Sequence, residues 1–209
     1  AALPAVLFNS QPMASGRVAI VADNYGGARR MVEHLQACGH RRIAFIAGPE
    51  NNFDAHERLR GYSDALLAGD PSAEPLVLPG DFSEASGHLA GQRLLASAPR
   101  PEAVFAANDM MALGCLYALN QAGMHVPRDM ALAGFDDIPL ARYVMPSLTT
   151  MRVNISELGA HAMRVLLDLY AGEPVDDALG ALVPELIVRE SSAGAVTRAG
   201  TEDAPRRSA

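Results

Sequence analysis

The segment Ala131–Thr150 reads ALAGFDDIPLARYVMPSLTT and carries the main signal for the fold. A short apolar run, Ala131–Phe135, leads directly into two acids, Asp136 and Asp137, and a second extended run begins at Leu148 after a proline-marked loop. In an open α/β sheet, ligands bind outside the carboxyl ends of the strands. Because successive side chains of a strand point to opposite faces, the two acids are not expected to face one cleft together. We expect one acid to face a ligand and the other to face solvent or cap a turn, which favours a polar small-molecule site over a catalytic carboxylate pair.

Short apolar runs alternate with amphipathic segments along almost the whole chain. The strand-like runs are Ala5–Phe8, Val18–Ala22, Ile43–Ala47, Leu76–Leu78, Ala103–Ala107, Ala131–Phe135 and Leu182–Val188. The helix-like segments are Gly27–Ala37, Ala55–Ala68, Glu84–Ala96, Met110–Ala122 and Ser156–Ala171. This alternation predicts an α/β fold with parallel sheets and helices on both faces. Residues 193–209 show no periodicity and are predicted to form a disordered tail.

The composition is that of an ordinary soluble protein. The chain has 209 residues, of which 49% are hydrophobic and 20% charged, enough for one large domain or two small lobes. No apolar run reaches the length of a membrane span and no signal-peptide pattern is seen, so we expect a cytoplasmic protein with no membrane partner. Because the chain begins AALPAVLFNS, without an initiator Met, we interpret it as a piece of a longer protein.

The charge balance argues against direct nucleic-acid binding by this chain. The formal net charge is −7, from 17 basic and 24 acidic residues. Phosphate contacts supply most of the non-specific affinity for nucleic acids, and such contacts need a basic face. The short arginine pairs are interpreted instead as solvated helix ends and a charged tail.

Polar residues collect at the predicted carboxyl ends of the strands, where the ligand of such a sheet lies. Acids and amides grip adjacent sugar hydroxyls, an Arg donates from a rigid fork, and an aromatic ring stacks on a sugar or base. The candidate ligand-binding residues are Asp23, Asp54, Arg58, Phe82, Asn108 and Asp136.

Simpler structural roles remain open for most of these candidates. Asp23, Asp54 and Asp109 all precede predicted helices, where N-capping is the usual role of an Asp. Arg58 could pair with an acid of its own helix, and Phe82 could be a core residue. Asn108 is less easily explained, since Asp109 is expected to be the better cap and to leave Asn108 free to face the cleft.

Signals for catalysis and for metal binding are weak. The sequence contains no GxGxxG, P-loop, GxSxG or HExxH pattern, and no nucleophile–base pair. His34, Cys38 and His40 lie close together, but they flank the end of a helix, where histidine complements the helix dipole. We therefore expect neither an enzyme nor a cofactor or metal site.

The order of several motifs resembles one known family. DNYGGARRMVEHLQACGHRRIAFIAGP, ERLRGYSDALLAG, GDFSEASG, AVFAANDMMALGCLYAL and GFDDIPLARYVMPSLTTMRVNISELG are similar, in this order, to the effector-binding core of LacI/GalR-family transcriptional repressors. The similarity extends from about Ala5 to Ser192. It implies two Rossmann-like lobes joined by three crossing strands, with the effector in the cleft between them. The family's ligand contacts fall on Asp23, Arg58, Phe82, Asn108 and Asp136, and Asp54 lies where a further polar contact is common.

The resemblance also implies the lobe boundaries. Ala1–Arg41 and Thr149–Gly172 would form an incomplete N-terminal lobe, and Arg42–Leu148 with Gly180–Ser192 the C-terminal lobe. Val153 stands where lactose-type members carry a Gln.

The implied function is the sensing of a small polar effector, a sugar or sugar derivative, by a homodimer. Operator DNA would be bound only through a helix-turn-helix headpiece preceding Ala1, and the effector would control operator affinity allosterically. A periplasmic-type sugar-binding protein of the same fold is the alternative.

Overall fold

The structure is a computed structural model and describes residues 4–8, 18–173 and 182–193. Its strands are β1 (Val6–Phe8), β2 (Val18–Ile20), β3 (Ile43–Ile46), β4 (Leu76–Leu78), β5 (Ala103–Ala106), β6 (Ala131–Asp136), β7 (Thr149–Arg152) and β8 (Glu185–Ile187). Its helices are α1 (Asn24–Ala37), α2 (Phe53–Gly69), α3 (Glu84–Ala96), α4 (Asp109–Gln121) and α5 (Ile155–Ala171), with short 3₁₀ turns at Pro139–Arg142 and Glu190–Ser192. The predicted α/β class is confirmed. Residues 194–209 of the predicted tail lie outside the described residues.

The main body is a six-stranded sheet in the order β4-β3-β5-β6-β7-β8. All neighbouring pairs are parallel except β7 and β8, which are antiparallel. The strand order reverses direction between β3 and β5, which is the point where doubly wound sheets open a crevice for a ligand. Helices α1 and α2 pack together, as do α3 and α4. Right-handed crossovers place these two pairs on opposite faces of the sheet.

The core of the main body is made by strands that are apolar on both faces. Every residue of β3 and β5 is buried, as expected for parallel strands covered by helices on both sides. Phe45 stacks on Tyr62 of α2 with ring centroids 4.9 Å apart, and meets the edge of Phe105 at 5.1 Å. The Tyr62 hydroxyl donates to the Ile43 carbonyl at 2.7 Å, so this buried polar group is satisfied.

A second, smaller unit consists of the parallel pair β1–β2 and helix α5. Its buried residues, here called the second core, are Ile20, Leu158, Ala162 and Val165. Asn154 caps α5: its Oδ1 accepts from the Glu157 N–H at 3.2 Å, and its amide donates to the Glu157 carboxylate at 3.2 Å.

Two elements lie elsewhere than the sequence-based lobe boundaries implied. Helix α1 belongs to the main body, because Met31, Val32 and Leu35 are buried in the main core beside α2. Strand β7 also belongs there, because it pairs with β6 from Thr149 to Arg152. Both segments are amphipathic or apolar enough to suit either unit, so periodicity alone could not assign them.

Within the described residues, the chain therefore passes between the two units at three places. These are Ala22–Asp23, Val153–Asn154 and the segment after Leu182. A parallel bridge joins Ala22 to Leu182, and the Asp23 N–H donates to the Leu182 carbonyl at 2.8 Å. Two of the three crossings are thus hydrogen-bonded to each other at the mouth of the cleft.

Candidate functional site

A cleft of about 660 Å³ opens at the carboxyl ends of the main-sheet strands, between the two units. Its walls come from the start of α2, from the loop after β6 and from the β7–α5 connection. The lining residues are Ala22, Asn24, Asp54, Arg58, Asp136, Asp137, Ile138, Pro139, Arg142, Arg152, Val153, Asn154, Ile155, Ser156 and Leu158. Of the six predicted binding residues, Asp54, Arg58 and Asp136 line this cleft, and Asp23, Phe82 and Asn108 lie outside its lining.

Arg58 is the buried cation of the cleft, with 7% of its surface exposed. Its Nε donates to Asn24 Oδ1 at 2.8 Å and its Nη1 to the Ala107 carbonyl at 2.5 Å. The guanidinium lies 3.8 Å from the centre of the Phe135 ring, within the range of a cation–π contact. Burial lowers the pKa of Arg58, and the neighbouring carboxylate of Asp136 opposes that shift. Arg58 is therefore a fixed charge, held by three different strand and helix ends.

Asp136 is the last residue of β6 and pairs with Arg58, with Oδ1 3.3 Å from Nη1. About a third of its side chain is exposed, toward the cleft. Burial raises the pKa of this carboxyl, and Arg58 counteracts the rise. Its φ of 115° and the φ of 56° at Asp137 are both positive, which is uncommon for residues other than glycine. Consecutive backbone strain of this kind clusters at ligand sites.

Asp54 is buried in the first turn of α2, with 7% of its surface exposed. It is not the N-cap of the helix, because Asn52 takes that place by accepting from the Ala55 N–H at 2.9 Å. Oδ1 of Asp54 is buried and has no hydrogen-bond partner among the described residues. Burial raises the pKa of this carboxyl, and Arg58 opposes the shift. An unpaired acceptor in a cleft wall is suited to receive a donor from a ligand.

Asp137 contradicts the expectation that the second acid would face solvent or cap a turn. Its side chain is only 2% exposed and forms ion pairs with two arginines. Oδ1 lies 2.5 Å from Arg189 Nη2, and Oδ2 lies 2.7 Å from Arg152 Nε. Burial alone would raise the pKa of Asp137, but the hydrogen bonds from these arginines hold it below the usual value. Arg152 also reaches Glu185 at 3.2 Å, so the network spans two of the crossings between the units. Sequence could not pair residues so far apart in the chain.

Two of the predicted binding residues, Asp23 and Asn108, are helix caps. Asp23 accepts from the Gly26 N–H at 2.8 Å, as an N-capping Asp does. The expectation that Asp109 would cap α4 and leave Asn108 free is wrong: Asn108 Oδ1 accepts from the Met111 N–H at 2.9 Å. The helix begins at Asp109, so the cap is the residue before it.

Phe82 lies beside Arg58 but is not among the residues that line the cleft. Its backbone has a φ of 70°, and its carbonyl accepts from the Asn108 amide at 3.0 Å. The ring covers Gly48, where an added Cβ would lie 2.5 Å from the ring carbon Cε1. The Arg58 guanidinium lies 6.0 Å from the ring centre. Phe82 thus packs next to the buried cation at the edge of the site.

Asn24 is the main site residue that the sequence-based choice missed. It is 2% exposed, its Oδ1 accepts from Arg58, and its amide donates to the Ala22 carbonyl at 3.2 Å. The Asp23-Asn24 pair at the end of β2 was a signal for it, but which of two adjacent polar residues turns inward depends on the tertiary structure.

The described residues hold no group of three or more His, Cys, Asp or Glu side chains arranged to bind a metal. Of the cluster considered in the sequence, His34 Nε2 lies 2.9 Å from Ser192 Oγ and 3.8 Å from Cys38 Sγ. Burial raises the pKa of the Cys38 thiol. Within the same described ranges, no helix is both long and apolar enough to cross a membrane.

Comparison with known proteins defines the class of this fold and cleft. A family model for a periplasmic binding protein-like domain matches residues 32–192. The HTH-type transcriptional regulator CelR of Thermobifida fusca is 42% identical over 170 residues, which are 81% of this chain and 50% of CelR. The chain thus spans about half the length of the curated relatives it matches.

Solved structures agree with this class. A regulatory protein of the LacI family from Chloroflexus aggregans superposes with a TM-score of 0.84 at 32% identity, covering 90% of this chain and 68% of that one. A complex of the transcriptional regulator CelR with cellobiose superposes with a TM-score of 0.81 at 38% identity, covering 89% and 58%. This chain belongs to the LacI family, and its described residues form an effector-binding domain of that family.

Proposed function

We propose that this chain is the effector-binding part of a LacI-type transcriptional regulator and that its cleft binds a small polar ligand, most simply a sugar. The observation that carries the proposal is the Arg58–Asp136 pair, a buried cation and a partly exposed carboxylate at the switch point of the sheet. Acid, amide and arginine side chains are those that form hydrogen bonds with the vicinal hydroxyls of a sugar. The similarity to a regulator solved with cellobiose supports a sugar as ligand.

We assign direct ligand contacts to Asp54, Arg58 and Asp136. Asp23, Asn108 and Phe82 stay in the proposed site as neighbours that fix its walls. Asp23 caps the helix that carries Asn24, the acceptor of the Arg58 Nε–H bond. The Asn108 amide binds the Phe82 carbonyl, which places the aromatic ring beside Arg58.

The proposed mechanism is a shift between two arrangements of the units. The cleft is lined on one side by Arg58 and Asp136 of the main body and on the other by Ile155 and Leu158 of α5. A ligand that touches both sides favours the arrangement in which both contacts are made, and it shifts the equilibrium only by that difference in affinity. In a homodimer carrying operator-binding modules, the shift would alter operator affinity, with a coupling of about 1–3 kcal/mol that is reciprocal between effector and DNA.

A transport-type sugar-binding protein is the second candidate, since the matching domain is described as periplasmic binding protein-like. The two functions share the cleft and differ in the coupling to DNA. Only the regulator requires a bound ligand to change the affinity for an operator.

The test uses the full-length protein and an operator selected by that protein in vitro. Operator binding is followed by fluorescence anisotropy while cellobiose and other small sugars are titrated. We expect a cleft ligand to change operator affinity by about 5- to 150-fold in the wild type and to have no effect in Asp136→Ala. Specific operator binding that no cleft ligand alters would contradict the effector control, and a protein that binds a sugar but selects no operator would favour the transport-type alternative.

A further inference from the structure

The charges of the cleft carry a further inference, which rests on the proposed function. We infer that the cleft accepts an uncharged or amine-bearing ligand rich in hydrogen-bond donors and rejects its phosphorylated or carboxylated counterparts, and that Asp54 enforces this choice. The inference concerns which effectors this particular chain can sense.

The first step is the unfilled acceptor of Asp54. The side chain is buried in the cleft wall, and Oδ1 has no donor within the described residues. A buried carboxylate oxygen without a donor costs free energy, and a ligand hydroxyl or ammonium group removes that cost when it binds. A phosphate or carboxylate has no donor to offer when ionised, and it would bring a like charge to the same place.

The second step is that the buried cation of the cleft is already engaged by the protein. Arg58 donates to Asn24, to the Ala107 carbonyl and to Asp136, and one face of its guanidinium is covered by Phe135. Its Nε and Nη1 donors are therefore occupied by protein oxygens, and its charge is already paired with Asp136.

The third step is that a second arginine of the cleft lining is engaged as well. Arg152 forms ion pairs with Asp137 and Glu185. Arg142 also lines the cleft, but it is exposed at the rim, where water and salt screen its charge. The exposed charge of Arg142 therefore offsets little of the repulsion that Asp54 and Asp136 exert on an anionic ligand.

The balance of charge directly around Arg58 is negative. Asp54 and Asp136 both lie next to Arg58, and each acid raises the energy of an additional anion nearby. Interactions between charges are several-fold stronger in a partly buried site than in water. A ligand with donors only is matched to this arrangement, and an anionic ligand is opposed by it.

A structural role for Asp54 is the competing explanation. An acid in the first turn of a helix is stabilised by the helix dipole. That role does not require burial or an empty acceptor, and it predicts a change in stability but no change in ligand selectivity. The two roles are therefore separable by measuring selectivity.

The experiment compares matched ligand pairs on the full-length protein by thermal shift and calorimetry. The probes are cellobiose, glucose, glucosamine and glucose 6-phosphate, together with ribose and ribose 5-phosphate, at constant ionic strength. The variants are Asp54→Asn and, as matched control, Glu57→Gln, a carboxylate on the same helix that pairs with Arg60 outside the cleft.

We expect binding only by neutral or amine-bearing probes, with at least about 100-fold preference over the phosphorylated partner. Asp54→Asn should weaken the neutral probe about 10- to 100-fold and shrink the preference, whereas Glu57→Gln should leave both unchanged. A phosphorylated probe that binds as tightly as its neutral partner, or an Asp54→Asn protein that keeps the wild-type preference, would overturn the inference and leave the proposed function standing. If no probe of either class binds, the proposed sugar-sensing function fails, and the inference fails with it.

Discussion

The hydroxyl of Thr150 donates a 2.6 Å hydrogen bond to Oδ1 of Asp109, beneath the floor of the cleft. The other carboxylate oxygen of Asp109 accepts from the Ile138 N–H at 2.9 Å. One fully buried side chain at the start of α4 thus ties strand β7 to the loop that follows Asp136, the last residue of β6. The position of the cleft acids depends on this buried acid.

Asp109→Asn is expected to remove a pH-dependent loss of stability. Burial raises the pKa of Asp109 to about 7, against the lowering effect of its hydrogen bonds. The unfolded carboxyl titrates near pH 3.9, so between about pH 4 and 7 the folded protein binds the proton more tightly. The wild type therefore loses stability as the pH rises through this range, by something on the order of 4 kcal/mol.

Urea unfolding of wild type and Asp109→Asn at several pH values checks this prediction. The raised pKa values of Asp54 and Asp136 act in the same direction, but they are present in both proteins and cancel in the comparison. As the pH rises, the free energy of unfolding of the variant should increase relative to that of the wild type. Parallel pH profiles for the two proteins would show that Asp109 titrates normally.

Gly134→Ala is expected to destabilise the main body by about 2–4 kcal/mol. Gly134 lies in β6, and an added Cβ would lie 2.2 Å from Oδ1 of the buried Asp109. Gly159→Ala is the matched control, because nothing lies within 4 Å of a Cβ added at that position of α5. The control should gain about 0.5–1 kcal/mol from helix propensity. Thermal unfolding that ranks the two variants in the opposite order would refute this packing around Asp109.

Removing Arg189 is expected to cost more stability than removing Arg152, although both pair with Asp137. Arg189 is 14% exposed and also donates to the Leu148 carbonyl at 2.7 Å, whereas Arg152 is 42% exposed. Breaking a buried pair costs about 3–5 kcal/mol, while exposed pairs contribute about 0–1 kcal/mol. Chemical denaturation of Arg189→Ala and Arg152→Ala measures the difference, and equal losses would show that the burial of the arginine does not set the cost.

The sequence predicted the fold class, the order of most elements and the edge of the sheet where the cleft lies. These features follow from local periodicity and from turn residues, which a single sequence contains. Helix α3 was predicted with the bounds that the structure has, Glu84–Ala96, and the others within about three residues. The antiparallel pairing of β8 with β7 was not predicted, because a short apolar run does not reveal its direction.

The candidate site was predicted in part, and the limits have physical causes. Arg58 and Asp136 were chosen because polar residues that follow the carboxyl ends of strands lie where such a sheet binds its ligand. Asn108 was misread because adjacent Asn and Asp residues are both good caps, and the choice depends on the residue at which the helix begins. The pairing of Asp137 with Arg189 joins residues far apart in the chain and needs the completed sheet.

Hydrogen exchange should show that the smaller unit opens more readily than the main body. Strands β1 and β2 form a two-stranded sheet that rests on a second core of four buried residues. Two-stranded sheets have little stability of their own, and local opening follows the amount of buried apolar contact. The amides of Val18–Ile20 should exchange at least about 100-fold faster than those of Ala103–Ala106. Equal protection of the two strands would mean that the small unit is as stable as the main sheet.

The central claim is that the Arg58–Asp136 pair binds the effector, and isothermal titration of the full-length protein tests it most directly. The comparison is between wild type, Asp136→Ala and the control Asp168→Ala, which removes an exposed carboxylate of α5. Asp136→Ala should weaken the tightest-binding neutral sugar about 10- to 100-fold, since a charged hydrogen bond contributes about 1.5–3 kcal/mol, while Asp168→Ala should bind like the wild type. Wild-type affinity in a folded Asp136→Ala protein would contradict the account.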